Sequence, residues 1–262
     1  MTRWLCPLLP GIVLVLPCFA AGGDKDAEDK ATRAVERLGG KLFRDDKAAA
    51  KPVIQVILNG RPATDADVKV LTAFTKLSDL DLAGTKITDA ALKDVARFPE
   101  MRHLSLFRTA VTDTGLNDLT TLKNLEVINI GLTRVTDTGL KILAQMKQLN
   151  TVDLMGTKVT DAGLKHVAEL PKIFQLGLQR TKISDAGLKH VRELPELATL
   201  DLTGTSVTDE GMKHLKGLKK LHSLDLQNTR VADAGLVELT EVGTLLSLHV
   251  RGSKVRTRAS RS

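Results

Sequence analysis

The chain has 262 residues, and its 38 basic against 31 acidic side chains give it a formal net charge of +7. The excess charge is concentrated in residues 245–262, which contain five basic residues and no acid, while residues 21–244 are close to neutral. This distribution argues against a nucleic-acid-binding surface and predicts a basic tail. The tail is either disordered or attracted to an anionic polymer of a cell envelope.

Residues 1–20 have the composition of a secretory signal peptide. Arg3 precedes an apolar run over residues 8–16, and a small residue precedes Ala21 as at a cleavage site. The run is shorter than the roughly 20 residues that span a bilayer. We therefore predict export, removal of residues 1–20 and no stable membrane insertion afterwards. A retained anchor and a lipid attached at Cys18 are the alternatives.

The two cysteines, Cys6 and Cys18, both lie inside this segment. The exported chain is therefore expected to have no disulfide, no thiol nucleophile and no cysteine-based zinc site. A domain of this length can bury enough apolar surface to fold without covalent cross-links.

From residue 53 onward the sequence repeats every 24 residues without an insertion or deletion. Positions 1, 4, 6, 16, 19 and 22 of each unit are apolar, position 9 is usually Thr, and position 13 is always Asp. Such self-similarity indicates stacked structural units and not a single catalytic motif. The full units begin at Val53, Leu77, Met101, Leu125, Leu149, Ile173, Leu197 and Leu221, and a truncated unit begins at Leu245.

Each unit predicts a short strand followed by a helix. Leu200 and Leu202 alternate with polar neighbours, as in a half-buried strand. Met212, Leu215 and Leu218 then recur at helical spacing. One unit cannot bury its apolar face alone, so the units are expected to stack into a curved α/β solenoid with a parallel sheet on the concave side and helices on the convex side.

The aspartate at position 13 is predicted to be the helix N-cap. Asp209, with Thr208 before it, precedes the helical pattern and could accept from the free amides of the first turn. Pro99, Pro171 and Pro195 at position 23 mark where a helix has to end.

The repeated pattern L-x-x-L-x-L-x-x-T-x-V-T-D-x-G-L resembles the leucine-rich repeat family over residues 53–262. Its T-D-x-G-L segment is similar to the cysteine-containing-like subclass found in F-box substrate receptors and in exported bacterial proteins. That subclass often has Cys or Asn at position 9, where this chain has Thr, whose hydroxyl is expected to bond to the neighbouring loop. No F-box precedes the repeats, and the export signal argues against a ubiquitin-ligase role. The resemblance implies a right-handed horseshoe that recognises a protein or glycan on its concave face.

The predicted organisation is a signal peptide over residues 1–20, a linker and N-terminal cap over 21–52, eight repeats over 53–244, and a truncated repeat with the basic tail over 245–262. In the cap, Ala31, Val35 and Leu38 share one helical face, the glycines at 39 and 40 end the helix, and residues 41–44 form an edge strand. Such a cap would cover the apolar end of the first repeat.

Two aligned sets of residues suggest chemistry, but neither predicts a catalytic or metal site. The three histidines at position 18 lie on helices that pack about 8–10 Å apart, too far for zinc ligation near 2.1 Å. The aspartates at position 5 lie on the concave face without an accompanying base or nucleophile, so we interpret them as solvated acids. No cofactor is expected. The two sets are His166, His190 and His214, and Asp81, Asp153, Asp201 and Asp225.

Departures from the repeat consensus on the concave side give the candidate binding residues. Large or charged side chains replace the usual glycine or small residue at positions 7 and 8, and aromatic, Met and Arg residues are frequent in protein-binding hot spots. We place Phe107, Leu132 and Met155 on three adjacent strands within ~10 Å of one another. Arg108 and Arg180 flank them at the rim, the direction of Phe174 is left open, and random drift on a solvated face is the alternative. The candidates are Phe107, Arg108, Leu132, Met155, Arg180 and, at position 2, Phe174.

The sequence thus predicts a non-enzymatic, exported protein that binds a protein or glycan through its concave sheet. The alternative is a structural or adhesive envelope protein that contacts anionic polymers through its tail and a convex row of lysines. That row comprises Lys93, Lys141, Lys165, Lys189 and Lys213.

Overall fold

The computed structural model describes the backbone of residues 21–256 and the side chains of residues 25–256. The proposed signal peptide and the end of the basic tail lie outside these residues. The strands are β1 (Lys41–Arg44), β2 (Val53–Ile57), β3 (Asp79–Asp81), β4 (His103–Ser105), β5 (Val127–Asn129), β6 (Thr151–Asp153), β7 (Gln175–Gly177), β8 (Thr199–Asp201), β9 (Ser223–Asp225) and β10 (Ser247–His249).

Helices alternate with the strands. The α-helices are α1 (Ala21–Arg37), α2 (Asp65–Leu71), α3 (Asp89–Val95), α4 (Asp113–Leu119), α5 (Asp137–Leu143), α6 (Asp161–Val167), α7 (Asp185–Val191), α8 (Asp209–Met212) and α9 (Asp233–Leu239). A 3₁₀ helix, Lys213–Gly217, continues α8.

The strands form one ten-stranded sheet in chain order. β1 pairs antiparallel with β2, and all later pairs are parallel, with partners 24 residues apart such as Leu104 and Ile128. The apolar residues at positions 1, 4 and 6 form a continuous buried core with those of the helices. The predicted fold is confirmed: the chain forms a right-handed solenoid with the parallel sheet on its concave face.

The helices of the repeats are shorter than the apolar spacing suggested. Most run for seven residues, from position 13 to position 19, so position 22 lies in the turn that follows. Phe98, for example, is buried at position 22 although α3 ends at Val95. The apolar residue at position 22 therefore fills the core from a turn, and not from a third helical turn.

The N-cap is the residue before the aspartate at position 13, and not the aspartate itself as predicted. In α4 the N-cap is Thr112, whose Oγ1 accepts from Thr114 N at 3.2 Å. The aspartate at position 13 is the first residue of each helix, and its carboxylate bonds to the next repeat. Asp89 Oδ1 accepts from Thr112 N at 2.7 Å, and Asp89 Oδ2 accepts from Thr112 Oγ1 at 2.6 Å.

The glycine at position 15 makes room for this carboxylate. A Cβ on Gly115 would lie 2.5 Å from Asp89 Oδ1 and 2.8 Å from Leu92 Cδ1. The T-D-x-G segment is thus a joint between repeats: Thr caps its own helix, Asp holds the next repeat, and Gly admits the Asp of the previous one.

The first repeat has no preceding aspartate, and its own side chains supply the missing carboxylate. Thr64 N donates to Asp67 Oδ2 at 2.9 Å, and Thr64 Oγ1 donates to the same oxygen at 2.8 Å. Asp67 stands at position 15, where the second repeat has Ala91 and the third to eighth repeats have glycine. The joint is therefore completed within one unit where the stack begins.

The threonine at position 9 bonds within its own unit, contrary to the expected bond to a neighbouring loop. Thr157 Oγ1 donates to Leu154 O at 2.7 Å, and the threonines of the other repeats do the same. A hydroxyl is too short to reach the adjacent loop, so it closes its own turn three residues back. These threonines are buried in every unit that carries one.

The N-terminal segment packs against the first repeat. Ala31 and Val35 of α1 are fully buried, and Leu38 packs on the same core. Gly39 has φ of 71°, which turns the chain toward β1. Alternation along β1 places Leu42 on the core side and the exposed Phe43 on the concave side, opposite Gln55.

Candidate binding surface

Position 8 of every unit lies in the left-handed region of backbone space. Arg108, Leu132 and Arg180 have φ of 54°, 53° and 54°, whereas most other units have glycine there. The conformation directs the amide toward the next repeat: Leu132 N donates to Met155 O at 2.6 Å. Residues with a Cβ adopt this conformation at a cost of about 1–2 kcal/mol, so a side chain at position 8 has to be explained.

Phe107 and Met155 flank a glycine at position 7. A Cβ on Gly131 would lie 2.9 Å from Phe107 Cδ2 and 3.2 Å from Met155 O. The phenyl ring therefore lies over Gly131, and the small residue between the two larger ones allows it. Phe107 and Met155 are both partly exposed.

Leu132 extends this apolar surface along the stack. A Cβ on Gly156 would lie 2.5 Å from Leu132 Cδ2, so the leucine side chain covers the glycine of the following repeat. Leu132 nevertheless remains 42% exposed. Phe107, Arg108, Leu132 and Met155 together form what we call the turn patch.

The turn patch lies in the turns that follow β4, β5 and β6, and not on the strands as expected. The strands occupy only positions 3–5, so positions 7 and 8 form the rim at their carboxyl ends. Three consecutive repeats contribute to the patch. Arg180 occupies the same row two repeats after Leu132, and its Cγ would lie 3.3 Å from a Cβ on Gly204.

Phe174 lies apart from the turn patch, although the sequence grouped it with the other candidates. It precedes β7, at the amino end of the strand, and is 48% exposed. Its ring centroid is 6.0 Å from that of His222. Five residues of extended chain separate positions 2 and 7, about 16 Å at strand geometry, so Phe174 belongs to the opposite rim.

The aspartates at position 5 each bond to their own turn. Asp153 Oδ1 accepts from Met155 N at 2.9 Å, and Asp201 Oδ1 accepts from Thr203 N at 2.9 Å. Burial raises the pKa of Asp153, the bond from Met155 N lowers it, and the charge of Asp201 raises it further. These aspartates therefore shape the turns of the rim as well as charging the concave floor.

The row of side chains at position 5 is interrupted by a buried glycine, Gly177, which was not among the residues singled out from the sequence. Gly177 is the only position-5 residue without a side chain, and it stands between the strands of Asp153 and Asp201. Gln179 Nε2 donates to Asp201 Oδ2 at 2.7 Å, while Gln179 Oε1 is buried without a hydrogen-bond partner. The glycine is visible in the sequence, but the direction of Gln179 is not.

Within residues 25–256, no group of three His, Cys, Asp or Glu side chains is placed to hold a metal ion. The position-18 histidines lie on α6, α7 and the 3₁₀ helix, and His166 Nδ1 is 3.1 Å from Glu169 Oε1. In the described part of the chain, no helix is both long and apolar enough to cross a membrane.

Comparisons with known proteins agree with this architecture. A family model described as Leucine Rich repeat matches residues 196–216 and 217–239. Internalin C2 from Listeria monocytogenes superimposes with a TM-score of 0.59 at 17% identity, over 84% of this chain and 91% of that one. A search of curated protein sequences finds no match.

Two plant ectodomains from Arabidopsis thaliana are also similar in fold. The HAESA receptor kinase ectodomain gives a TM-score of 0.59 at 14% identity, over 89% of this chain and 46% of that one. The GASSHO1/SCHENGEN3 ectodomain gives 0.55 at 17% identity, over 82% and 26%. The chain thus spans less than half of either plant protein. At these identities the likeness establishes the fold, which is that of a leucine-rich repeat solenoid.

Proposed function

We propose that this chain is a non-enzymatic, exported binding protein that grips a protein partner at the turn patch and the adjoining concave floor. The observation that carries the proposal is the set of large side chains held in the left-handed conformation at position 8. Gly60, Gly84 and Gly156 adopt the same left-handed conformation without strain. Arg108, Leu132 and Arg180 therefore accept a conformational cost that the fold does not require.

The composition of the turn patch supports a protein partner over a glycan. Phe107, Leu132 and Met155 present an apolar strip across three repeats, with Arg108 exposed beside it. Buried aromatic and Met anchors beside an arginine are typical of protein interfaces. Two solved structures of the same fold also hold ligands: the HAESA structure contains a peptide hormone, and the GASSHO1/SCHENGEN3 structure contains CASPARIAN STRIP INTEGRITY FACTOR 2.

The experiment captures partners from the cell envelope fraction with two proteins in parallel. One is the wild-type chain, and the other is the double variant Phe107→Ala with Met155→Ala. A true partner should bind the double variant at least about thirtyfold more weakly, which corresponds to ~2 kcal/mol of lost hot-spot contact. The melting temperature should hardly change because both side chains are partly exposed.

The matched control removes a similar apolar area at the opposite rim. Phe174→Ala combined with Leu246→Ala, both exposed in the structure, should leave the partner bound. Loss of the partner with this pair and not with the first would move the site to the amino rim.

The adhesive alternative depends on charge and is separated by salt. Lys213 pairs with Glu210 at 2.7 Å, which leaves less free charge on the convex row than the sequence suggested. Adhesion through lysines and the basic tail should disappear between low and high ionic strength, whereas an apolar contact at the turn patch should persist.

The proposed removal of the signal peptide is tested by mass spectrometry of the exported protein. Detection of a chain that still contains Trp4 would contradict it.

A further inference from the structure

The basic side chains of the repeats are concentrated in the turns at one end of the strands. Positions 7–12 of each unit connect the strand to the next helix, and we call this series of turns the carboxyl rim. In the eight full repeats the carboxyl rim carries eight basic side chains and no acidic one, and the truncated repeat adds three more. Residues 21–244 are close to neutral as a whole, so their charge is segregated and not absent.

Position 10 forms a row of cations within the carboxyl rim. Six of the nine units have a lysine or an arginine there, and all six residues are exposed. Lys158, for example, lies between Thr157 and Val159, which are both buried. The side chain at position 10 therefore points to solvent while its neighbours anchor the turn. The six residues are Lys86, Arg134, Lys158, Lys182, Arg230 and Lys254.

Backbone hydrogen bonds between units hold this row in register. Lys158 N donates to Val135 O at 3.0 Å, and Lys182 N donates to Val159 O at 3.2 Å. Because each bond joins neighbouring units, Arg134, Lys158 and Lys182 lie side by side with a backbone spacing of about 4.8 Å, as in adjacent strands. The stack thus fixes a regular line of positive charges.

The charges of the carboxyl rim are not neutralised by the protein. Among the described residues, none of its cations forms an ion pair. The nearby aspartates at position 13 are engaged in the joint: Asp137 accepts from Thr160 N at 2.8 Å and from Thr160 Oγ1 at 2.6 Å. Like charges on neighbouring strands repel each other, so the fold gains no stability from the row.

We propose that the carboxyl rim binds a linear acidic polysaccharide, which runs across the repeats along the row at position 10. A chain with one carboxylate or sulfate per sugar has a charge spacing of the same order as the strand spacing of about 4.8 Å. Ammonium and guanidinium groups donate hydrogen bonds to such oxyanions and to the hydroxyl oxygens between them. The inference goes beyond the proposed function, because it assigns a different ligand to a surface next to the turn patch.

Other polyanions match the row less well. Duplex DNA carries one negative charge per about 1.7 Å of its axis, which is much denser than the row. Proteins that bind single strands combine a basic groove with aromatic side chains on which the bases stack. Phe107 is the only Phe, Trp or Tyr at positions 7–12 of the repeats. An anionic membrane presents its charge over a plane, whereas the row is a line one residue wide.

The test is a calorimetric titration of the exported chain with a decamer of galacturonic acid, and the methyl ester of the decamer is the uncharged control. We expect the acid alone to bind at low ionic strength and to be released at high ionic strength, because salt screens exposed charges. The triple variant Arg134→Gln, Lys158→Gln, Lys182→Gln should bind at least about tenfold more weakly, with a shallower salt dependence. Its melting temperature should not fall, because none of the three side chains has an ionic partner in the structure.

The matched control removes the same charge from the convex row of lysines. The triple variant Lys93→Gln, Lys141→Gln, Lys165→Gln also replaces three exposed cations, and it should bind the decamer as the wild-type chain does. Equal weakening by the two triple variants would show that only net charge matters, and it would overturn the assignment to the carboxyl rim.

Three further outcomes would contradict the inference. Equal binding of the methyl ester would show that charge is not recognised, and no binding of the acid at low ionic strength would remove the ligand. Tighter binding of single-stranded oligothymidylate, or of phosphatidylglycerol vesicles, at the same ionic strength would assign the carboxyl rim to a nucleic acid or to a membrane.

The polysaccharide site and the proposed function can fail separately. Phe107→Ala with Met155→Ala removes apolar side chains and no charge, so it should leave binding of the decamer unchanged. The triple variant of the carboxyl rim should in turn still bind the protein partner of the turn patch. Loss of the decamer with the Phe107 and Met155 variant would show that the sugar chain occupies the turn patch and not the row at position 10.

Discussion

Asp89 and Gly115 lie in consecutive repeats, and the carboxylate of the first occupies the space that a side chain on the second would fill. A Cβ on Gly115 would be 2.5 Å from Asp89 Oδ1, which also accepts the backbone amide of Thr112 at 2.7 Å. The glycine and the aspartate therefore act as one joint, repeated from the third repeat onward. In the second repeat Ala91 takes the place of the glycine, and Asp65 still accepts from Thr88 N at 2.7 Å. This relation explains why two residues of the T-D-x-G-L phrase recur together.

The joint predicts energetic coupling between the two positions. Asp89→Ala leaves the amide of Thr112 without an acceptor and should cost about 1–3 kcal/mol of unfolding free energy. Gly115→Ala should also destabilise, because the new methyl displaces a hydrogen-bonded carboxylate. The double variant should be more stable than the sum of the two effects by at least ~0.5 kcal/mol, since the methyl then enters vacated space.

Urea unfolding of the four proteins measures this cycle. Gly243→Ala is the control, because no atom lies within 4 Å of its Cβ position. Strict additivity of the Asp89 and Gly115 effects would show that the joint does not exist in solution.

A second prediction concerns the N-terminal segment. Deleting residues 24–52 removes β1 from β2 and exposes the core that Ala31, Val35 and Leu42 cover. The first repeat would then present an unpaired strand edge and an apolar face, so we expect aggregation or a lower melting temperature. Light scattering and thermal unfolding report the two effects. A truncated chain that stays monomeric with an unchanged melting temperature would contradict the cap assignment.

The 24-residue repeat made the fold predictable from the sequence, but the joint between repeats could not be predicted from it. Alternation at Leu200 and Leu202 and helical spacing at Met212 and Leu215 are local signals, and both elements formed as expected. The prediction that Asp209 is an N-cap is wrong because it considered only neighbours along the chain. Its true partner, the amide of Ala232, lies 23 residues away in the next unit.

The binding surface was predictable only in part, for a similar reason. Gly60, Gly84 and Gly156 occupy position 8, and glycine there indicates a left-handed backbone. The sequence could therefore have predicted this conformation for position 8 of the other repeats. The separation of Phe174 from Phe107 follows from a strand of only three residues, which periodicity does not determine. The bond from Gln179 to Asp201 depends on a side-chain rotamer and on stacking, so the sequence offers no guide to it.

A third prediction follows from the environment of Asp153. Burial raises its folded-state pKa above the ordinary value of 3.8. The folded state therefore holds this proton more tightly than the unfolded state, so the residue favours folding at pH below 3.8 and loses that contribution as pH rises through the folded-state pKa. Asp153→Asn should raise the melting temperature at neutral pH and change it much less below pH 3.8.

The asparagine can replace the structural bond of the aspartate. Asn129 occupies the same position on β5, and its Oδ1 accepts from Gly131 N at 3.0 Å. A melting temperature for Asp153→Asn that is lowered equally at both pH values would show that the carboxylate is needed for the turn and not strained by burial. Asp81→Asn, at the same position in an outer repeat, is the matched control.

The last prediction separates stability from binding at position 8. Leu132 has φ of 53°, where glycine is unstrained and a leucine is not. Leu132→Gly should therefore raise the unfolding free energy by up to ~1 kcal/mol, even though the leucine loses its contact with Gly156. The same change should weaken binding of the partner to the turn patch severalfold, because it removes the centre of the apolar strip.

Gly60→Leu is the reverse control. Gly60 has φ of 67°, and no atom lies within 4 Å of its Cβ position, so the substitution introduces only backbone strain. The unfolding free energy should therefore fall by about 1–2 kcal/mol. If Leu132→Gly instead destabilises the chain as much as Gly60→Leu does, the leucine is held by packing, and its strain is no evidence for selection by a partner.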